Sequence, residues 1–320
     1  MSYNKRETQY RAIFLVPPNV HLLDLTGPAH IFYEAKGYGA PIEIFYINLG
    51  ASSEEVSTAG ISLGKLRSFN DFVLGPSDWL IVPGLESKLL KNEVFLEQQV
   101  HFYEWLLQQY QRKARICAVC TGAYLLAQAG LLDKKNCTTH WKYLDDFYKR
   151  FPKTKLQSNR LFVKDEHIYS SAGVSSGIDL SLFLLEEQFG SVFATKIARE
   201  VLIYLRRTTS DSQLSVFLQY RNHIENRIHQ VQDLLAQNLN KKFTIDDLAE
   251  HAYTSPRNLT RLFKKTTGIT IGNYIEKLRV ERAVHLLSDG EKVDIVAVVC
   301  GLKSTNQLRS LLNKYKASIH

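Results

Sequence analysis

The stretch SPRNLTRLFKKTT (255–267) carries the start and stop of a helix in its own residues. Ser255 is a favoured N-cap, Pro256 suits the first helical position, and Gly268 immediately beyond suits a left-handed stop. Leu259, Leu262 and Phe263 fall on one face, which leaves Arg257, Thr260 and Arg261 on the other, with Lys264 and Lys265 farther along. The outline returns 49 residues later: Ser304 caps, Leu308 and Leu312 repeat the apolar stripe, and Thr305, Asn306 and Arg309 take exposed positions. Two basic helices of one design are the outline of two helix-turn-helix units in tandem, and so of duplex DNA read at two successive places.

The flanking sequence completes both units. Thr244 caps IDDLAEHA with acidic residues in the first turn, as the helix dipole favours, and Tyr253-Thr254 makes the turn into the basic helix. Upstream, residues 225–239 place Ile228, Val231, Leu234 and Leu235 on one face of a helix. Downstream, IGNYIEKLRVERAVHLLSD (271–289) reads as a long helix that buries Tyr274, Leu278, Ala283, Leu286 and Leu287 and sets the distance between the readers. VDIVAVVC (293–300) has a strand-like, β-branched composition, but the repeat assigns it to a helix that ends at Gly301. Arginines so placed can hold guanine O6 and N7, while Lys264 and Lys265 meet phosphates. The alternative is a solvent-facing pair of arginines with no partner. Charge favours the first: residues 221–320 hold 16 Lys+Arg against 10 Asp+Glu, and the preceding 220 hold 24 against 22. A basic excess confined to one module is the footprint expected of phosphate contacts.

The first two thirds alternate short apolar runs with helical stretches. RAIFLVP, a helix after Gly27-Pro28, IEIFYINLG, WLIVPG and ARICAVC argue for βαβ units and a parallel sheet covered on both faces. Ala114–Val119 is nearly all apolar, as a central parallel strand requires. It leads into Cys120-Thr121-Gly122 and the helix AYLLAQAGLL, which ends at Gly130. Cys120 thus stands at a strand-to-helix elbow, where free N–H groups and the dipole favour a thiolate. Equally, Cys120 can be a small core residue, the usual state of a free cysteine. Cys117, three residues earlier in the strand, reads as core. Four cysteines in 320 residues form no disulfide framework, and a single Cys-x-x-Cys makes a structural zinc site unexpected.

Three blocks carry a resemblance: HLLDLTGP (21–28), AVCTGAYLLAQAGLLDKKNCTTHWKY (118–143) and SAGVSSGIDLSLFLLEE (171–187). In order and spacing they resemble the PfpI-type, class I glutamine-amidotransferase-like domain of GlxA-type regulators, and isocyanide hydratases are similar in the same blocks. The C-terminal third, through SPRNLTRLFKKTTGITIGNYI, resembles the AraC family DNA-binding domain. The resemblance implies a pocket in which Cys120 is accompanied by an acid from the first strand–helix loop, Asp24, and by a histidine, His140. Asp24 can instead cap its helix, or be held protonated and donate a hydrogen bond; His140 can be a pocket wall. Gly84 is a candidate backbone oxyanion donor. Leu85 stands where the family usually has a second Gly, and Thr121 stands where the peptidase-like branch has His; both departures argue against catalysis. Tyr124 and Trp141 are candidates for a cage around a quaternary ammonium, or plain core. Leu302 replaces a usual Phe, and the sequence stops at Ser318-Ile319-His320 where the family continues, which implies a less firmly capped final helix.

The expectation is therefore a flavodoxin-like parallel sheet sandwiched by helices, followed by an all-α domain with two helix-turn-helix units. Residues 1–207 are expected to form a PfpI-like sensor and dimerisation domain, 208–224 a linker that begins in the polar TTSDS, and 225–320 the AraC-type DNA-binding domain. Site residues are Asp24, Gly84, Cys120, Thr121 and His140 for the ligand pocket, with no catalytic residue, metal or cofactor expected. Expected partners are double-stranded DNA, a small-molecule effector and a second copy of the chain, with no membrane. No apolar run approaches a bilayer span and MSYNKRETQYR lacks a secretory signal, which points to the cytoplasm. The alternative is a Cys-dependent, isocyanide-hydratase-like enzyme that uses Cys120 and Asp24 and carries an appended DNA-binding module; a third reading is a redox sensor acting through Cys120.

Overall fold

A computed structural model describes residues 9–50, 52–158, 160–203, 216–221, 223–288 and 290–315. The chain divides into two compact units, Met1–Thr209 and Ser210–His320.

The first unit is built on a seven-stranded sheet. Its strands in chain order are β1 (Tyr10–Val16), β2 (Ile42–Asn48), β3 (Arg67–Ser68), β4 (Asp78–Val82), β5 (Arg115–Val119), β6 (Phe162–Asp165) and β7 (Ile168–Ser171). They lie in the order β6-β7-β5-β4-β1-β2-β3. All neighbours are parallel except the edge strand β6, which returns antiparallel along β7. Because side chains alternate along a strand, β1 sends Ile13 and Leu15 into one core with Leu80, Ile116, Phe102 and Trp105. Ala12, Phe14 and Val16 enter a second core on the opposite face, with Trp79, Phe32, Leu180 and Leu184. The sheet is therefore sandwiched, as its apolar strands predict.

The chain's first helix, α1, spans Leu22–Gly37 and starts earlier than the Gly-Pro pair indicates. Pro28 lies inside it, so Asp24 belongs to its first turn rather than to a loop. Likewise REVLIYLRR is not one helix: Ser191–Glu200 is helical, Leu202 turns with φ 56°, and 204–207 fall outside the described residues. The expected linker is described only from 216 on. There Val216–Gln219 is a helical turn packed on the second unit, with the Val216 N–H donating to Glu281 Oε2 at 2.9 Å.

The second unit is helical. Asn226–Gln237, Ile245–His251 and Pro256–Thr267 enclose a core of Ile228, Val231, Leu248, Leu259, Phe263 and Tyr274. The long helix Ile271–Ser288 runs from that core to a smaller one of Ala283, Val296, Ala297, Cys300 and Leu308, formed with Val293–Val299 and Thr305–Tyr315. The β-branched run 293–299 is helical, so the repeat outweighs its propensity. Among the described residues no helix is long and apolar enough to cross a membrane.

Candidate functional site

Four segments leave the carboxyl ends of the adjacent strands β1, β4, β5 and β7 and converge where the strand order reverses, the place where open α/β sheets form ligand crevices. After β1 come His21 and Asp24, after β4 Gly84, after β5 Cys120, and after β7 Gly173 and Val174. Cys120 sits at the elbow with φ 58°, a left-handed conformation that the turn into Ala123–Gln128 imposes. Val174 has φ 52° and ψ −120°, a true outlier for a β-branched residue. Strained backbone of this kind persists where the surroundings over-determine it. Here the Val174 N–H donates to Asp24 Oδ1 at 2.5 Å.

Two glycines make the approach possible. A Cβ at Gly84 would stand 2.4 Å from Asp24 Oδ2, and one at Gly173 would stand 2.2 Å from the Cys120 Cβ. Thr121, fully buried, accepts from the Leu85 N–H at 3.1 Å and donates to the Leu85 carbonyl at 3.2 Å, tying the elbow to the loop after β4. The Leu85 N–H is therefore engaged within the fold. Gly84 contributes its carbonyl to the His21 N–H at 2.9 Å and clears room for the carboxylate.

The thiol lies deep in the fold. Cys120 is 2% exposed, and burial followed by the charge of Asp24 pushes it well above the ordinary thiol range, while a hydrogen bond from the Thr121 backbone pulls weakly the other way. Of the two readings of Cys120, these shifts favour the small core residue over the thiolate, because burial and a like charge act against a short helix. Cys117 is buried in the core, as read from the strand.

A histidine that the sequence reading did not single out also lies beside the pair. His21, at the N-cap of α1, places Nδ1 3.4 Å from Asp24 Oδ2, and its side chain does not cap the helix. Ligand-capable atoms of His21, Asp24 and Cys120 all lie within 4.8 Å of one another. His140 is not in that 4.8 Å cluster; it is the N-cap of a short turn, its Nδ1 accepting from the Lys142 N–H at 3.3 Å. Burial lowers its pKa, and the charge of Asp24 opposes the shift. The signal for His21 was its i, i+3 spacing to Asp24, visible only once α1 is known to start at Leu22. Tyr124 is core: it packs on Phe147 and Phe151 and donates to Asp146 at 2.8 Å. Trp141 is about half exposed beside His140.

In the second unit, Ser255 Oγ accepts from the Asn258 N–H, and Gly268 closes the helix at φ 78°. Leu259 and Phe263 are fully buried. Arg257, Thr260, Arg261 and Lys264, at i, i+3, i+4 and i+7, form one exposed stripe, with Lys265 exposed beside it. Arg261 reaches Asn258 Oδ1 at 3.3 Å. The second helix opens alike, Ser304 Oγ accepting from the Gln307 N–H at 3.2 Å; Asn306 and Arg309 are exposed and Thr305 is half-buried.

Residues 10–187 match the model of the DJ-1/PfpI family, and residues 248–317 match that of a helix-turn-helix domain. The chain is 33% identical over 213 residues to the HTH-type transcriptional regulator GbdR of Pseudomonas aeruginosa, a match covering 66% of this chain and 58% of that one. It thus spans less than two thirds of that regulator's length. It is 28% identical over 179 residues to the isonitrile hydratase of Pseudomonas putida, covering 55% and 71% of the two chains. A crystal structure of an AraC family transcriptional regulator from Pseudomonas putida shares the fold, with a TM-score of 0.52 at 22% identity over 60% of this chain and 99% of that one. With more than half its length matched, the chain belongs to the DJ-1/PfpI family and carries a helix-turn-helix domain after the family's α/β domain.

Proposed function

We propose that the protein is a sequence-specific DNA-binding transcriptional regulator, with residues 1–207 forming a sensing and dimerising domain and residues 225–320 the reader. The observation that carries the reading is the pair of Ser-capped helices, 256–267 and 305–315, each set on its own core and joined by one helix, each leaving basic and polar side chains exposed. Arg257, Thr260 and Arg261 would meet base edges in one major groove and Thr305, Asn306 and Arg309 in the next, about 34 Å along the duplex. Lys264 and Lys265 would meet phosphates. GbdR, a regulator by name, supports the assignment.

The Asp24, Gly84, Cys120, Thr121 and His140 region serves as the effector pocket, without catalysis. The likeness to isonitrile hydratase and the Cys120–Asp24 pair favour an enzyme. Against it stand a buried thiol whose pKa burial and Asp24 push up, and Leu85 in place of the usual second glycine. The same buried, neutral thiol disfavours a redox sensor, which needs an exposed, low-pKa cysteine. A homodimer in the cytoplasm would double the DNA footprint.

Selection of binding sites from a random duplex library by the full chain tests the reading. A bipartite motif with half-sites about 10 base pairs apart, bound with a steep salt dependence, is the expected result. Recovery of no enriched motif would refute it.

A further inference from the structure

The elbow holds more than a buried cysteine. Asp24 is 1% exposed, its Oδ1 is taken by the Val174 N–H, and the Cys120 thiol is its side-chain partner, with no geometrically complete hydrogen bond to the buried Oδ2. A carboxylate oxygen at that depth needs a good partner, and a thiol is a weak donor. Oδ2 points toward two further ligand-capable atoms, His21 Nδ1 at 3.4 Å and Cys120 Sγ, all three within 4.8 Å of one another. The imidazole of His21 is free of a capping role, and its side chain is about one third exposed, so the cluster has a way in from solvent.

We infer that His21 Nδ1, Asp24 Oδ2 and Cys120 Sγ form a binding site for one zinc ion, with a fourth position open to water or to an exogenous ligand. Nitrogen, sulfur and carboxylate oxygen together select a borderline-soft divalent cation over calcium or magnesium, and three protein ligands with one open position is the arrangement of accessible zinc sites. With metal–ligand bonds of about 2.0–2.3 Å, tetrahedral ligands stand roughly 3.3–3.6 Å apart. The His21–Asp24 separation of 3.4 Å already meets that spacing, and the sulfur lies within 4.8 Å of both. As the S–Zn bond forms, the Cys120 thiol proton passes to solvent, and neutral His21 keeps its proton on Nε2. One thiolate and one carboxylate then balance the two charges of the ion, which suits a buried place.

The support is also that of a metal site. The Val174 N–H orients the carboxylate from outside the ligand set, as second-shell donors do. Gly84 and Gly173 remove the Cβ atoms that would keep carboxylate and thiol apart. The zinc site lies within the first unit and does not depend on whether the second unit reads DNA.

The test uses the full chain, stripped with a chelator and titrated with Zn²⁺ against a chromophoric competitor, and separately with Co²⁺. One equivalent of Zn²⁺ per chain is expected, with a thiolate-to-cobalt charge-transfer band in the near ultraviolet. Cys120→Ser should abolish the band, whereas Cys117→Ser and Cys137→Ser should leave it. His21→Ala, a change at a partly exposed position, should leave the melting of the metal-free chain unaltered and weaken Zn²⁺ binding by at least the about 10–100-fold that loss of an outer-shell partner costs. Absence of stoichiometric binding, a band that survives Cys120→Ser, or unchanged affinity in His21→Ala would each overturn the assignment.

Discussion

Replacing Gly173 by Ala tests the packing of the elbow with little chemistry added. Gly173 has φ 88°, and an added Cβ would stand 2.2 Å from Cys120 Cβ and 2.7 Å from Cys120 Cα, atoms that no side-chain rotation can move away. The left-handed backbone costs a residue with a side chain about 1–2 kcal/mol, and forced overpacking about 1–3 kcal/mol more. The sum, about 2–5 kcal/mol, lowers the melting temperature of a unit of this size by roughly 4–20 °C. Gly130→Ala is the matched control: its φ is 77° and nothing lies within 4 Å of the added atom, so only the backbone cost applies, roughly 2–8 °C. All three tryptophans, Trp79, Trp105 and Trp141, lie in the first unit. Thermal unfolding followed by tryptophan fluorescence therefore reports that unit selectively. Gly173→Ala no more destabilising than Gly130→Ala would refute the close contact between the loop after β7 and the cysteine, and with it the account of why glycine stands there.

Three further outcomes follow from the structure. Phe263→Ala, which empties the centre of the first helix-turn-helix core, should cost the second unit about 3–5 kcal/mol while the tryptophan transition stays in place, as far-ultraviolet dichroism and fluorescence compared on one sample will tell. Arg221, bonded to Asp233 at 2.9 Å, holds that carboxyl below the ordinary carboxylate range; its contribution to stability is full above the ordinary pKa and is lost as pH falls through the lower folded value. Asp233→Asn should accordingly destabilise the second unit at pH 7, with the difference from wild type shrinking toward pH 3, and a difference that grows on acidification would contradict the ion pair. Since burial and Asp24 hold Cys120 as a thiol, iodoacetamide at pH 7 should modify it no faster than Cys117 in the folded, metal-free chain; rapid and selective alkylation would restore the enzyme reading.

What the sequence disclosed is what local chemistry writes into neighbouring residues. The caps Ser255, Thr244 and Ser304, the stop at Gly268 and the apolar stripe of Leu259 and Phe263 can be read one helix at a time, and the repeat rescued 293–299 from its strand-like composition. The strands of the sheet were legible for the same reason. The start of α1 was not, because Pro28 looks like a first helical residue but is accommodated inside the helix. That misplacement hid His21, whose nearness to Asp24 depends on the helical turn. Depth was equally invisible: nothing near Cys120 says that Gly84 and Gly173 will press on it, and burial acts against the effect of the helix N-terminus. Tyr124 likewise looks available for a ligand in the sequence and is spent on Phe147, Phe151 and Asp146 in the fold.

In the proposed regulator the exposed face of residues 256–267 reads bases. Fluorescence anisotropy of wild type and Arg261→Ala on the selected duplex and on a scrambled one, each at several salt concentrations, decides whether it does. Loss of a base-edge contact worth about 1–3 kcal/mol should weaken Arg261→Ala roughly 5–150-fold on the selected site. Its affinity for the scrambled duplex and its salt slope should stay near wild type. Equal weakening on both duplexes, or no change on either, would contradict the account and make Arg261 a phosphate contact or a solvent-facing residue.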